Sequence, residues 1–303
     1  MTRFVCVSLL ILSQALSPAA APAGPSAASS IFAEIYHFAL LNRSVRFDSE
    51  TAIRSTWSSE YTSVFVGMVT RTDNRYLVCI NDAEKRTDIA IRGTTNLRNL
   101  VYDVRFLREY DPELDIRVHK GFSLMSEQLV LSIGPLLRKD YAIRLSGQSL
   151  GAAEALLTAM RLSREGYRID SIITFGQPKV TDAQGAQRYG FLPLIRVVNE
   201  NDVIPLLPPI NLVYREDPYV HFGGEINLLD GVYYCREKNG VTDRPLPKRM
   251  FTDLSRDDID TLMEEHSIRT YVDSIRAKLD GAIEVPAAER ERYIPQRFQF
   301  PLP

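Results

Sequence analysis

The pentapeptide Gly147-Gln148-Ser149-Leu150-Gly151 is the part of this chain best equipped to do chemistry. It stands between a short β-like run, YAIRLS, and an Ala- and Leu-rich helical run, LGAAEALLTAM. At a tight strand-to-helix turn a serine is held in a strained conformation with its hydroxyl above the sheet, and flanking glycines keep neighbouring side chains from clashing. The helix N-terminus behind it favours developing negative charge. G-x-S-x-G is common by chance. The strand before it and the helix after it are what make Ser149 a candidate nucleophile rather than a structural turn residue.

A serine hydroxyl is a weak nucleophile at neutral pH and needs a base, commonly a histidine oriented by a carboxylate. On an elbow of this kind the acid and then the histidine follow the serine in chain order. Only His221 and His266 follow Ser149. His266 stands in EEHSIRTY, at the junction of two helical segments, where a loop can carry it to the serine. His221 stands in YVHFGGE, an alternating strand-like run, and reads as a structural histidine. Asp202, in the turn NEND after LIRVV, sits at the carboxyl end of a strand and is the candidate acid. Its competitor, Asp182 after FGQPKV, precedes a polar loop and is expected to face solvent.

Acyl transfer also needs two donors for the oxygen of its tetrahedral intermediate. One is expected from the backbone N–H of Leu150, the residue after the nucleophile. The other should come from a loop after an earlier strand, and Arg92-Gly93-Thr94 ends the run DIAIR. Directly beyond, Asn96 to Phe106 places Leu97, Leu100, Val101 and Val104 on one helical face. A short amphipathic helix there can close over a pocket and open at a lipid surface, or it can simply bury that face in the core. No His/Cys/carboxylate cluster shows metal-ligand spacing, so neither a metal nor an organic cofactor is expected.

Several blocks resemble the class 3 lipases, the family that includes the fungal triacylglycerol lipases: IAIRGTTNLRNLVYDVRF, VHKGF, SGQSLGAAEA, ITFGQPKV, IRVVNENDVIPLLPP, YVHFGGEI and EEHSIRTY. They run in the family order from about residue 60 to 275. The resemblance implies an α/β-hydrolase fold, a triad of Ser149, Asp202 and His266, a second oxyanion donor at Thr94 and a lid over Asn96 to Phe106. It also implies that His119-Lys120-Gly121-Phe122 packs near the site without a catalytic role. One position departs: the family usually has histidine before the serine, and this chain has Gln148, which supports the elbow rather than reacting. The implied function is a secreted serine carboxylester hydrolase acting on acylglycerols. Phospholipase A1 or feruloyl-type esterase activity, or a catalytically silent lipid-binding protein, are the alternatives, and the last would be expected to lack a triad member.

The elements that must position these residues follow from periodicity. Ile31 to Leu41, Phe122 to Leu137, Leu150 to Ser163 (ended by Gly166), Arg256 to Glu264 and Ile268 to Leu279 have helical spacing. Val64 to Thr70, Tyr76 to Ile80, Asp88 to Arg92, Tyr141 to Leu145, Ser171 to Phe175 and Leu192 to Val198 read as strands, the first two joined by the turn Thr72-Asp73-Asn74. Strands alternating with helices imply a mostly parallel sheet covered on both faces, and the hairpin at the start makes it mixed. No linker divides the chain, so residues 24–303 are expected to form a single domain.

Composition sets the outer bounds. The chain has 303 residues and a formal charge of −2, which argues against nucleic acid as a partner because phosphate binding needs a cationic surface. Residues 1–23 read as a secretory signal peptide: Arg3, an apolar run from Phe4 to Leu16, then small residues with an A-x-A pattern at Ala21-Pro22-Ala23. That run is too short to span a bilayer, and no transmembrane segment is expected in the mature chain. Cleavage would leave Cys79 and Cys235, an even pair that an oxidising compartment could join in a disulfide, although both stand in strand-like runs where buried free thiols are the expectation. Asn42-Arg43-Ser44 is an N-glycosylation sequon.

Overall fold

The computed structural model describes residues 27–69, 74–93, 107–208, 217–237 and 256–294. The signal-peptide reading, Thr94, and the lid residues Leu97, Leu100, Val101 and Val104 lie outside them, as do Thr72 and Asp73.

Three strands open the sheet: β1 (Ser63–Val69), β2 (Asn74–Asn81) and β3 (Arg86–Ile91), each antiparallel to the next. β6 (Ala142–Gln148) lies parallel to β3, and β7 (Arg168–Phe175), β8 (Leu194–Asn199) and β9 (Gly224–Leu228) continue the parallel run. β10 (Tyr233–Glu237) closes antiparallel to β9, with the short β11 (Ile283–Glu284) beside it. A separate hairpin, β4 (Arg108–Asp111) with β5 (Ile116–His119), docks through Val118 and Thr181. The mixed, mostly parallel sheet expected from the sequence is present, and every strand foreseen falls within a residue or a few of an observed one.

Seven helices flank the sheet among the described residues: α1 (Ala27–Ser44), α2 (Glu50–Trp57), α3 (Lys120–Ile133), α4 (Leu150–Arg164), α5 (Ala183–Tyr189), α6 (Arg256–Glu265) and α7 (Ile268–Arg276). The period-2 alternation of the strands divides the core in two. Ile143, Leu145 and Ile172 face α3 and α4, while Ile173, Phe175 and Val197 face Phe32, Ile35 and Phe38 of α1 and Tyr271, Val272 and Ile275 of α7. From Gly151 to Leu162 α4 is buried all round, which only a helix rich in alanine can be when pressed against a sheet. It ends as Gly166 suggests: φ is +82°, and Tyr167 N–H reaches back to the Leu162 carbonyl in a Schellman arrangement.

At the end of the sheet away from the elbow, a polar knot ties α1 to the strands. Arg144 grips Asp88 with two hydrogen bonds, Nε–Oδ1 at 2.7 Å and a terminal nitrogen to Oδ2 at 2.5 Å. Tyr61 donates to the same carboxylate and is itself hydrogen-bonded to His37 of α1. Burial alone would raise the Asp88 carboxyl, but these partners overcome it and hold it down at about 2.

Two readings of local chemistry resolve here. Asn42 is 1 % exposed and its amide donates to Phe38 O and to Ser146 Oγ (2.6 Å), so a glycan has no route to that nitrogen in the folded chain. Cys79 and Cys235 are free and buried. They lie on β2 and β10, which stand six strand spacings apart in the sheet order, each about 4.8 Å, far beyond disulfide reach.

Inside α4, Glu154 is fully buried, and its described partner is the Asn74 amide. Burial pushes its carboxyl up to about 8, so the folded protein keeps the proton through neutrality. The unfolded chain ionises above about 4.5; folding therefore loses stability as pH rises from there to about 8. Glu154→Gln, which mimics the protonated form, should match wild type in stability near pH 4.5 and exceed it by roughly 3 kcal/mol at pH 7. Denaturant titrations at both pH values check this; an equal difference at the two would contradict a buried, protonated Glu154.

Candidate active site

The carboxyl ends of β6, β7 and β8 carry the site. Beyond β6 the chain turns at Ser149, whose φ of 62° and ψ of −128° lie where non-glycine residues are strained, at a cost of about 1–3 kcal/mol. The glycines on either side are a steric requirement. A Cβ on Gly147 would sit 2.0 Å from Gly151 O, and one on Gly151 would sit 2.4 Å from Ile91 O. Ser149 N–H bonds to Phe175 O (2.9 Å), fixing the elbow to the end of β7. Leu150 opens α4, so its N–H belongs to the first helical turn, where donors have no intrahelical partner. Ser149 Oγ is buried and makes no hydrogen bond among the described residues.

Asp202, the candidate acid, follows β8 in a tight turn closed by its own N–H to Asn199 O (2.9 Å). Asp202 Oδ1 accepts from Ile204 N–H at 2.9 Å, and Oδ2 accepts from His266 Nδ1 at 2.7 Å and from Tyr271 OH at 2.6 Å. A carboxylate at Nδ1 fixes the tautomer with its proton there and leaves Nε2 as an acceptor. That Nε2 is buried and, like Ser149 Oγ, unpartnered among the described residues. Burial and the Asp202 carboxylate push the Tyr271 phenol well above its ordinary pKa, so it remains a donor. Above this pair lies Gly176, at φ +57°, where a Cβ would come within 2.6 Å of Asp202 Oδ2 and 2.7 Å of His266 Cε1.

Ser149 beyond β6, Asp202 beyond β8 and His266 from the junction of α6 and α7 thus lie at the carboxyl edge of the sheet, with Leu150 at the helix start. His221 is elsewhere: Nε2 bonds Pro205 O at 2.7 Å, and burial pushes it well below the usual histidine range, as a structural residue would be. His119 caps α3 by accepting from Phe122 N–H and stacks on the Phe122 ring at 4.1 Å, and burial lowers it to about 4. Asp182 corrects an expectation. It is 1 % exposed, caps α5 by accepting from Gly185 N–H (3.0 Å) and lies 3.6 Å from the Arg108 guanidinium. The apparent polar loop after it is the helix α5, whose first turn needs that cap. Gly176 and Tyr271 were not foreseen; the glycine in ITFGQPKV and the tyrosine ending EEHSIRTY were the available signals. No group of three metal-ligating side chains occurs among the described residues.

Residues 89–212 match the family model described as Lipase (class 3). A lipase of Rhizomucor miehei is 33 % identical over 171 residues, which cover 52 % of this chain and 46 % of that protein. A secreted mono- and diacylglycerol lipase of Fusarium solani is 28 % identical over 199 residues, 56 % of this chain and 57 % of that one. The chain spans about half the length of the curated relatives it matches. Among solved structures, a triacylglyceride lipase of Rhizomucor miehei superposes with a TM-score of 0.55 at 26 % identity, over 66 % of this chain and 81 % of that one. The Lip2 lipase of Yarrowia lipolytica shares the fold, with a TM-score of 0.57 at 22 % identity over 76 % of this chain and 91 % of that one.

A mixed sheet with a serine elbow, an acid turn and a histidine at its carboxyl edge defines an α/β-hydrolase. Within it, residues 89–212 carry the class 3 lipase pattern, and the chain is similar over about half its length to lipases of that kind.

The geometry around Asp202 makes Tyr271 and Gly176 measurable. Tyr271→Phe keeps the packed ring and removes one donor to Oδ2, so kcat on a soluble ester should fall about tenfold with KM little changed. Gly176→Ala pushes a methyl into the Asp202–His266 pair and should cost about a hundredfold or more in kcat. Steady-state kinetics of both variants decide, and near-wild-type turnover in Gly176→Ala would contradict the placement of the pair.

Proposed function

We propose that the protein is a secreted serine carboxylester hydrolase that hydrolyses acylglycerols through an acyl-enzyme on Ser149. The observation that carries this reading is the strained Ser149 elbow at the edge that also holds His266 Nδ1 2.7 Å from Asp202. The Rhizomucor and Fusarium relatives, named as lipases, supply the substrate class.

In this mechanism His266 Nε2 takes the Ser149 proton as Oγ attacks the ester carbonyl. Asp202, fixed by Ile204 N–H and Tyr271, steadies the imidazolium that forms. The carbonyl oxygen becomes an oxyanion facing the N–H of Leu150 and, as second donor, Thr94. His266 returns the proton to the departing alcohol, and a water molecule, activated by the same base, releases the fatty acid. The scheme uses no metal or cofactor. Residues 1–23 act as the signal peptide, 24–303 form the hydrolase domain, and no nucleic acid is involved.

Ser149 is fully buried, so a substrate reaches it only when something moves. The segment Asn96 to Phe106 is the proposed cover, with Leu97, Leu100, Val101 and Val104 facing the pocket in water and the lipid–water interface when open. Each such side chain is worth about 1.5–3 kcal/mol when fully buried, enough to make the interface the preferred place of opening.

A fluorophosphonate probe should label wild type and leave Ser149→Ala unlabelled; equal labelling of both sinks the nucleophile. Activity across p-nitrophenyl esters of increasing chain length, an emulsified triacylglycerol and a phospholipid tests the substrate class. A preference for the phospholipid would replace the acylglycerol reading. Leu97→Asp with Val101→Asp should weaken action on the emulsion far more than on a short soluble ester, whereas equal losses on both would assign that helix to the core.

A further inference from the structure

Gln148, the last residue of β6, uses both ends of its amide. Nε2 donates to His266 O at 2.7 Å, and Oε1 accepts from an Arg46 guanidinium nitrogen at 2.5 Å. The side chain is 2 % exposed, so neither bond is shared with solvent. Arg46 lies two residues beyond α1, and its Nε is buried without a partner among the described residues. Burial and the nearby Arg92 charge lower its pKa from the ordinary arginine value, which marks it as a desolvated cation. A desolvated cation of this kind spends its charge on whatever acceptor faces it, and here that acceptor is Gln148 Oε1.

We propose that Gln148 is a positioning residue for His266, and that Arg46 sets it. The inference rests on His266 being the base. The imidazole is held on its ring side by Asp202, but its backbone sits at the junction of α6 and α7, which needs its own anchors. Asn199 Nδ2 holds Glu265 O at 3.2 Å, and Gln148 Nε2 holds the next carbonyl, that of His266. The second anchor comes from the residue beside the nucleophile, so it registers base against serine directly. Arg46 decides which way the amide points: with the guanidinium at Oε1, the NH2 group must face His266 O, because a flipped amide would set donor against donor and acceptor against acceptor. Charge on the acceptor side also polarises the amide and strengthens its donation.

This gives the departure from the family's usual histidine a chemical meaning. A neutral amide donates and accepts at once at every pH. An imidazole does both only while neutral, and beside a guanidinium its protonation would break the bond to Arg46. A carboxylate would accept from Arg46 and could not donate to His266 O.

The test compares wild type with Gln148→Glu, Gln148→His and Arg46→Met, reading kcat and KM on p-nitrophenyl butyrate from pH 6 to 9. Alongside it, the low-field proton resonance of the His266 Nδ1–H bonded to Asp202 is recorded. Gln148→Glu should lower kcat about tenfold to a hundredfold with KM within about twofold of wild type, and it should shift or broaden the resonance. Arg46→Met should do the same to a lesser degree, because it frees the amide without touching the elbow. Gln148→His should approach wild type at pH 9 and show a steeper acid limb below neutrality. Wild-type kcat in Gln148→Glu and Arg46→Met with an unmoved resonance would overturn the proposal, as would a loss confined to KM. If Gln148→Glu does not fold, Arg46→Met decides alone. If wild type cleaves no ester, the functional reading fails, and the resonance still reports whether Gln148 and Arg46 position the histidine.

Discussion

Ser149 keeps a left-handed backbone conformation that a serine does not choose for itself, and the surrounding structure is organised to hold it there. Two glycines let α4 come against the strand ends, where any side chain would meet backbone within about 2.4 Å or less. The hydrogen bond from Ser149 N–H to Phe175 O fastens the turn to β7. The alanines of α4 let the helix lie close enough for that bond to form, and complete burial of its middle section supplies the free energy that the strained turn consumes. Move α4 outward by one methyl group and the elbow has no reason to persist.

The same edge shows how a carboxylate can be buried at little cost. Asp202 accepts three hydrogen bonds, from a backbone N–H, an imidazole and a phenol, so removing it from water leaves few lone pairs unmet. Asp88, at the far end of the sheet, is satisfied by Arg144, Tyr61 and His37 in the same spirit but with a different result. Its partner is a permanent cation, and the group is locked as an anion for structural ends. Asp202 instead faces an imidazole, a group able to gain or lose a proton, so the pair is not locked in one charge state by a permanent cation.

Much of this could be read from residues. The elbow announced itself because its strand, its two glycines and its alanine-rich helix agree with one another, and the candidate acid and base, which the structure pairs, followed from chain order and strand ends. What stayed hidden depended on contacts between residues distant in sequence. Tyr271 reaches Asp202 across 69 positions, and its hydroxyl is one of many along the chain. Gly176 matters because two side chains from other elements press on the place where its Cβ would be. Asp182 was misread because a helix of seven residues is too short to display a periodicity, so its cap looked like a loop residue. The hairpin β4–β5 has four residues in each strand, too few for alternation to show. Asn42 carries a sequon by local pattern alone, while the tertiary fold turns its amide onto Ser146.

Two buried carboxyl groups make the stability of this fold depend on pH in opposite directions. Asp88, held at about 2, contributes stability that is complete above the ordinary aspartate range and fades only as pH falls from about 4 toward 2. Glu154, raised to about 8, takes stability away progressively as pH climbs from about 4.5. These two groups together favour the fold most in mildly acidic solution. The helix that opens at Ser149 therefore carries, one turn in, a buried acid that weakens the fold as pH rises above about 4.5. The opposite end of the sheet, tied by Asp88 and Arg144, keeps its charge pairing throughout that range, so of these two groups only the one behind the elbow responds there.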